Sequence, residues 1–520
     1  MTGTPCIMTR REAIKALSLS AAALALSSKH SYGGVPEAKK KLPNIVLILS
    51  DDIGYGDLGC YGGTGISTPN IDRLSNQGLR FTDAHAAAAT CTPSRYALLT
   101  GAYAWRREGA HVLPGDAALL IDPAKPTLPS TLKKAGYVTG CVGKWHLGLG
   151  SGNIDWNGSI SPGPREVGFD YSFIIPATAD RVPCVYVENQ RVVGLDPKDP
   201  IIVSYKENIG TDPTGHDHPE QLKMALSKGH DGTIVDGVSR IGFMSGGKSA
   251  RWVDEIMAPT LVRKANAFIE QHKEEPFFLY FATSDIHVPR VPNNQFVNTS
   301  GCGIRCDAIE QLDWTVGQVM DKLDKLGLTD DTLVIFGSDN GPVVDDGYAD
   351  GSVEHLNGHK PAGELRGGKY LIYEGGTRTP FITHWPGHIQ PGESDALLGQ
   401  VDLLASLGSL AGTSALAGLV PDSTDQLPAL LGKSKTGREF LVEESSVLAI
   451  RKGQWKLIDA NQVVGNGRGS REDTGGTEFQ LYDLSKDPRE LSNVADKHLD
   501  IVHELSAKLR SIRNQRLTDL

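Results

Sequence analysis

Four short, largely apolar runs, each cut off by charged or hydrogen-bonding residues, constrain this chain most. Pro43 to Ser50 stops at Asp51-Asp52, and Tyr137 to Val142 at Gly143-Lys144-Trp145-His146. Phe277 to Ala282 stops at Ser284-Asp285-Ile286-His287, and Thr332 to Phe336 at Ser338-Asp339-Asn340-Gly341. Runs of this length and apolarity are strands buried on both faces, as in parallel sheets. Helical patterns precede three of them, at Leu128–Ala135, Ile256–His272 and Asp307–Leu326. The alternation predicts an α/β fold, with a large, mostly parallel central sheet flanked by helices.

In open α/β sheets, ligands bind beyond the carboxyl ends of the strands. One strand ending in a charge is a turn. Four that end in Asp-Asp, Lys-x-His, Asp-x-His and Asp-Asn predict a site. After residue 435 the texture changes to short strands at Phe440–Glu443, Ser446–Ile450, Trp455–Ile458 and Phe479–Leu484, then a helix near Asp496–Asn514. That reads as a small antiparallel sheet with a closing helix. The expected division is residues 40–430 as the main domain and 435–520 as a C-terminal α+β subdomain. Gly150 to Trp252, with His216-Asp217-His218 inside it, is irregular and rich in Gly, Pro and Asp, and is expected to be insertions around a pocket.

The first thirty residues stand apart. Arg10-Arg11 and Lys15 precede thirteen small or apolar residues, Ala16 to Ser28, the plan of a secretory signal with a candidate cleavage site at Ala23-Leu24-Ala25. The paired arginines resemble a twin-arginine signal. Ala13 stands where a large apolar residue is usual, so ordinary Sec export stays open. The expected protein is exported, periplasmic or secreted, without a transmembrane anchor, since no stretch reaches the ~18 apolar residues a span needs. A net charge of −10 with pI ≈ 5.9 argues against a nucleic acid held by bulk positive charge. Seven cysteines in 520 residues make no disulfide framework. Four-residue spacing leaves the pairing of Cys302 with Cys306 open.

Gly54-Tyr55-Gly56-Asp57-Leu58-Gly59 matches a dinucleotide fingerprint but not its context. More loop follows where a helix should open, and Asp51-Asp52 would face the pyrophosphate. Cys91-Thr92-Pro93-Ser94-Arg95 is more specific. With Asp51-Asp52, Gly143–Gly148, His287 in Ile-His-Val-Pro, Ser338–Gly341, Arg366–Lys369 and Glu374–Arg378, it resembles the formylglycine-dependent sulfatase family of the alkaline-phosphatase-like superfamily. The resemblance covers most of the chain in order and spacing. It implies that a maturation enzyme oxidises Cys91 to formylglycine, whose hydrated aldehyde attacks sulfur and then expels sulfate. By position, Arg95 holds the diol, Lys144 bridges diol and sulfate, and His146 serves the elimination. His287 with Lys369 protonates the leaving oxygen, and Asp339 is a further acceptor for the nucleophile's proton.

The residue chemistry agrees. Asp51, Asp52, Asp339 and Asn340 offer hard oxygen ligands that suit one Ca²⁺ better than zinc or copper, with Mg²⁺ left open. Lys144, Lys369 and Arg95 supply positive charge where a breaking S–O bond develops negative charge. The expected substrate is a sulfated small molecule or saccharide, with extracellular carbohydrate favoured. A phosphodiester or phosphonate monoester hydrolase is the alternative enzyme. A binding protein with a silent site would need a lost motif residue, and none is lost.

Overall fold

The computed structural model describes residues 3, 41–413, 420–464 and 478–515. The signal read at residues 1–30 thus lies outside the described residues, Gly3 apart. The chain divides into two units, Met1–Leu42 and Pro43–Leu520, and the second holds the fold. Strands β1 (Asn44–Ser50), β2 (Leu79–Phe81), β3 (Val138–Lys144), β4 (Tyr171–Ile175), β5 (Val187–Glu188), β6 (Arg191–Val192), β7 (Phe277–Ala282), β8 (Thr332–Ser338), β9 (Phe381–His384) and β10 (Gly392–Ser394) make one sheet. Its spatial order is β10-β2-β9-β8-β1-β7-β3-β4-β5-β6. The five consecutive strands β8-β1-β7-β3-β4 are parallel, and antiparallel pairs flank them on both sides.

Every residue of β1, β7 and β8 is buried, which is why these runs are continuously apolar. Their register carries the functional consequence. Leu49 pairs with Ala282 on one side and Gly337 on the other, and Ala282 pairs in turn with Gly143. The strands therefore end level, and the residues that follow share one edge. Gly143 has φ 103°, and a Cβ there would lie 1.8 Å from the Ala282 carbonyl oxygen. Only glycine lets β3 pass β7 this closely just before Lys144.

Helices α1 (Pro69–Gln77), α2 (Cys91–Thr100), α3 (Leu128–Lys134), α4 (Met257–Gln271) and α5 (Gly303–Leu326) accompany the sheet. Cys302 and Cys306 form a disulfide at the start of α5. Strands β11 (Leu441–Glu444), β12 (Val447–Lys452), β13 (Trp455–Val463) and β14 (Phe479–Asp483) form the antiparallel C-terminal sheet, with α6 (Leu499–Asn514) packed on it. Its core residues Leu448, Ile450, Leu457, Leu481, Leu505 and Leu509 share a cluster with Ala97 of α2 and with Ala87 and Tyr103 beside it. The small sheet thus backs the helix that opens with Cys91.

Two features differ from the sequence reading. The stretch 150–252 is not only insertions: it supplies β4, the fifth parallel strand. Five residues after a four-residue helix at Pro164–Val167 are too short for a periodic signal. Cys91-Thr92-Pro93-Ser94, which the sequence reading placed in no element, is the first turn of α2, where proline's missing N–H costs nothing.

Candidate active site

The level strand ends, with the first turns of α2 and the loop at Lys369, bring together the ten residues singled out from the sequence. Asp51, Asp52, Asp339 and Asn340 are wholly buried, as are Lys144, Arg95 and His146, and Cys91, His287 and Lys369 are nearly so. Lys144 Nζ lies 2.5 Å from Asp51 Oδ2 and 3.8 Å from Asp339 Oδ2. Arg95 Nε donates to Asp339 Oδ2 at 2.8 Å, and its Nη1 donates to the Lys144 carbonyl at 3.1 Å. Asn340 Nδ2 donates to Asp52 Oδ1 at 2.7 Å, and Lys369 Nζ to Asp52 Oδ2 at 2.9 Å. Three carboxylates and three cations thus interlock without water access, where each charge is costly unless paired.

The two carboxyls of the Asp51-Asp52 pair are driven apart. Burial, and then the charge of Asp339, push Asp51 up to about 8. Against the upward push of burial, Lys369 and His287 hold Asp52 well below the usual carboxylate range. Asp51 Oδ1 and Asn340 Oδ1 are buried acceptors with no hydrogen-bond partner. The Asp51, Asp52 and His287 ligand atoms lie within 4.8 Å of one another. Unpaired hard oxygens beside crowded carboxylates are what a Ca²⁺ or Mg²⁺ ion requires, so the donor set fits such a cation.

The histidines have separate settings. His146 Nε2 meets the Leu113 carbonyl at 2.9 Å, and a carbonyl can only accept, so Nε2 carries the proton. Nδ1 is buried without a partner. Burial, then the charges of Lys144 and Arg181, hold this imidazole well below its ordinary pKa, leaving Nδ1 a free base. His287 Nδ1 donates to the Val288 carbonyl at 2.8 Å, and its Nε2 lies 3.9 Å from Asp52 Oδ2. Burial and the charge of Lys369 pull His287 down to about 4. Lys369 is held protonated, well above its ordinary range against the pull of burial, by Asp346 and Asp52.

Cys91 is the first residue of α2. Burial pushes its thiol up, although Lys144 and Lys369 pull the other way. Thr92 Oγ1 donates to the His146 carbonyl at 3.0 Å and ties the helix start to that histidine. Asp52 (φ 62°) and His146 (φ 54°) hold left-handed backbone conformations, uncommon for non-glycine residues and concentrated where function imposes geometry.

Sequence reasoning missed several neighbours. Asp180 and Arg181 follow β4, the unrecognised fifth strand, whose end delivers polar residues as the other four do. His230 Nε2 contacts Asp180 Oδ2 at 3.0 Å, and Arg181 Nη1 contacts Asp180 Oδ1 at 2.8 Å. Asp346 accepts from Lys369 Nζ at 2.9 Å and from the Tyr370 hydroxyl at 3.1 Å. His216 and His218, by contrast, are exposed and pair only with nearby acids. The Gly54–Gly59 loop closes on Asp57, which accepts from Gly54 N and takes a two-pronged grip from Arg305 at 2.5 and 2.6 Å. That geometry leaves no anion cradle.

Residues 43–413 match the Sulfatase family model. The chain is 53% identical over 477 residues to N-acetylgalactosamine-6-O-sulfatase of Bacteroides thetaiotaomicron, covering 91% of this chain and 93% of that protein. It is 34% identical over 470 residues to human arylsulfatase A, covering 87% and 83%. A solved protein from the glycosaminoglycan metabolism of B. thetaiotaomicron superposes with a TM-score of 0.87 at 52% identity, covering 91% of this chain and all of that one. Ps i-CgsB, 24% identical with a TM-score of 0.66 and coverage of 92% and 94%, shares the fold.

Proposed function

The chain belongs to the sulfatase family and is a sulfuric ester hydrolase, and from that premise we propose that it desulfates a glycosaminoglycan-type saccharide through a matured Cys91 and one bound Ca²⁺. The first candidate substrate is 6-O-sulfated N-acetylgalactosamine, the specificity in the name of the 53% identical relative. The observation that supports the mechanism is the cluster of buried cations and unpaired acceptor oxygens around Cys91.

Asp51, Asp52, Asp339 and Asn340 would hold the Ca²⁺, which supplies fixed positive charge for the sulfate oxygens. Formylglycine at Cys91 supplies a hydrated aldehyde, a better route than a buried thiol with a raised pKa. Arg95, braced between Asp339 and the Lys144 carbonyl, orients the nucleophile, and Lys144 reaches toward both nucleophile and sulfate. The free lone pair on His146 Nδ1 takes the proton released when sulfate is expelled. At the leaving oxygen, Lys369 is the standing proton source. His287 acts through Nε2, because its Nδ1 hydrogen is committed to Val288. The anionic ester brings the negative charge that favours the protonated form of His287. Asp180 lies near His287, and Arg181 near Cys91 and His146; with His230, which contacts Asp180, they are assigned to the saccharide hydroxyls.

The same reading takes residues 1–30 as an export signal, 40–430 as the catalytic domain and 435–520 as its subdomain, with a formylglycine-generating enzyme as maturation partner. Among the described residues, no helix is long and apolar enough to cross a membrane. The test is mass spectrometry of the Cys91 peptide from active enzyme, with turnover of defined sulfated saccharides beside an aryl phosphodiester. The expected result is a residue about 18 Da lighter than cysteine and a clear preference for sulfate. An unmodified thiol in fully active enzyme would overturn the mechanism, and a preference for the phosphodiester would overturn the substrate class.

A further inference from the structure

Tyr370 combines three properties that its neighbours do not. It directly follows Lys369, yet it is 42% exposed, whereas Lys369 is 5% exposed. Its backbone is left-handed at φ 75°, a conformation that a bulky aromatic residue rarely adopts and that glycine adopts freely. Its ring is tethered at the far end, where the hydroxyl lies 3.1 and 3.2 Å from the two oxygens of Asp346, the carboxylate that also grips Lys369.

The surroundings hold this conformation in place. Tyr370 N donates to the carbonyl of Ala89, two residues before Cys91, at 2.8 Å, and Ser445 Oγ donates to the Tyr370 carbonyl at 2.5 Å. Lys369 Nζ stands 5.4 Å from the ring centroid. A large, partly exposed ring is therefore pinned at both ends beside the nucleophile. Single exposed apolar residues are ordinary on protein surfaces. A strained, doubly anchored aromatic at the edge of a charged pocket is not, because local strain persists where function holds it.

We propose that Tyr370 is a stacking platform for a pyranose ring of the substrate, a specificity-determining residue that meets the apolar C–H face of the sugar while the buried cations take its sulfate. The proposal rests on the sulfatase reading above. The chemistry matches: the exposed ring offers an apolar face, and stacking of that kind adds affinity with little ordering cost when the ring is already fixed. The competing role, a prop for Asp346 and Lys369, needs only the hydroxyl and gives no reason for an exposed ring.

The two roles separate in Tyr370→Phe and Tyr370→Gly. Phenylalanine keeps the ring and loses the hydroxyl; glycine removes the ring and accepts the left-handed backbone without strain, and thermal melting checks that both variants are folded. Steady-state kinetics on 6-O-sulfated N-acetylgalactosamine and on 4-nitrophenyl sulfate supply the readout. Tyr370→Gly should raise KM for the saccharide about tenfold with kcat changed less than about threefold, a loss at least about fivefold larger than on the aryl ester. Tyr370→Phe should keep the saccharide KM within about twofold of wild type. If Phe loses as much as Gly, or if Gly loses kcat equally on both esters, the prop role wins and the proposal falls. Saccharide KM retained in Tyr370→Gly would also overturn it. Wild-type enzyme that hydrolyses neither sulfate ester would instead overturn the substrate reading beneath it.

Discussion

Asp51 and Asp52 are adjacent in sequence and opposite in tendency, one pushed up to about 8 and the other held low. The difference lies in partners: Asp52 faces Lys369 and Asn340, while Asp51 shares its space with Asp339. A divalent cation would relieve that crowding, so Asp51→Asn should lower Ca²⁺ affinity about tenfold or more and lower activity in parallel. Calorimetric titration of chelated enzyme checks this, and a variant fully active after exhaustive chelation would reject the assignment. The histidines predict a second separation. Loss of the group that protonates the leaving oxygen matters most when that oxygen leaves poorly. His287→Ala should therefore cost about 10² or more in kcat/KM on a saccharide sulfate and much less on 4-nitrophenyl sulfate. His146→Ala should let a covalently sulfated protein accumulate with either ester, visible by intact mass. Equal losses across leaving groups would reject His287 as an acid. The ten residues singled out were legible because each sits in a short polar motif, all but Lys369 ending or following a strand or opening α2. Asp180, Arg181, His230, Asp346 and Tyr370 were not, because they lie in loops whose local sequence carries no period.

Among elements, α2 depends on the C-terminal sheet as much as on the main one. The carbonyl of Glu444, at the end of β11, accepts from Ala89 N at 2.7 Å, and its carboxylate meets Trp105 N at 3.2 Å. Burial pushes this carboxyl from 4.5 up to about 8. The folded state therefore binds a proton that the unfolded chain releases above pH 4.5. The stability this contributes is complete below that pH and falls as pH rises toward 8. Glu444→Gln should flatten this component, narrowing the drop in Tm between pH 5 and 8 relative to wild type. Identical slopes in scanning calorimetry would exclude Glu444 as its source. On α6, Leu505 is fully buried in the core shared with Ala97, so Leu505→Ala should cost about 2–5 kcal/mol in denaturant unfolding. The strands β1, β7 and β8 were readable because burial on both faces leaves an unbroken apolar run. The flanking β2, β9 and β10 have three or four residues each, and such lengths carry no pattern that separates strand from loop.

At the level of the whole molecule, Pro43–Leu520 forms one unit, and the main and C-terminal sheets share a hydrophobic cluster. Ending the chain at residue 434 would expose Ala87, Ala97, Tyr103 and Val401, so the truncated protein should be insoluble or open to limited proteolysis, and inactive. A soluble, active fragment would show that the sheets fold independently. The apolar runs, their polar ends and the Cys91–Arg95 motif were each set by neighbours in the sequence, so the chain alone determined the strands and the kinds of chemistry at their ends. Register, closure and charge balance were decided by tertiary structure. Asn340 meets Asp52 across 288 residues, and Lys369 meets it across 317. Which histidine nitrogen is free, which carboxyl is crowded and where Arg181 points depend on such pairings. Hydrogen bonds and charges act over a few ångströms in space, and only the parallel register, one residue in or out of step, determines which groups come that close.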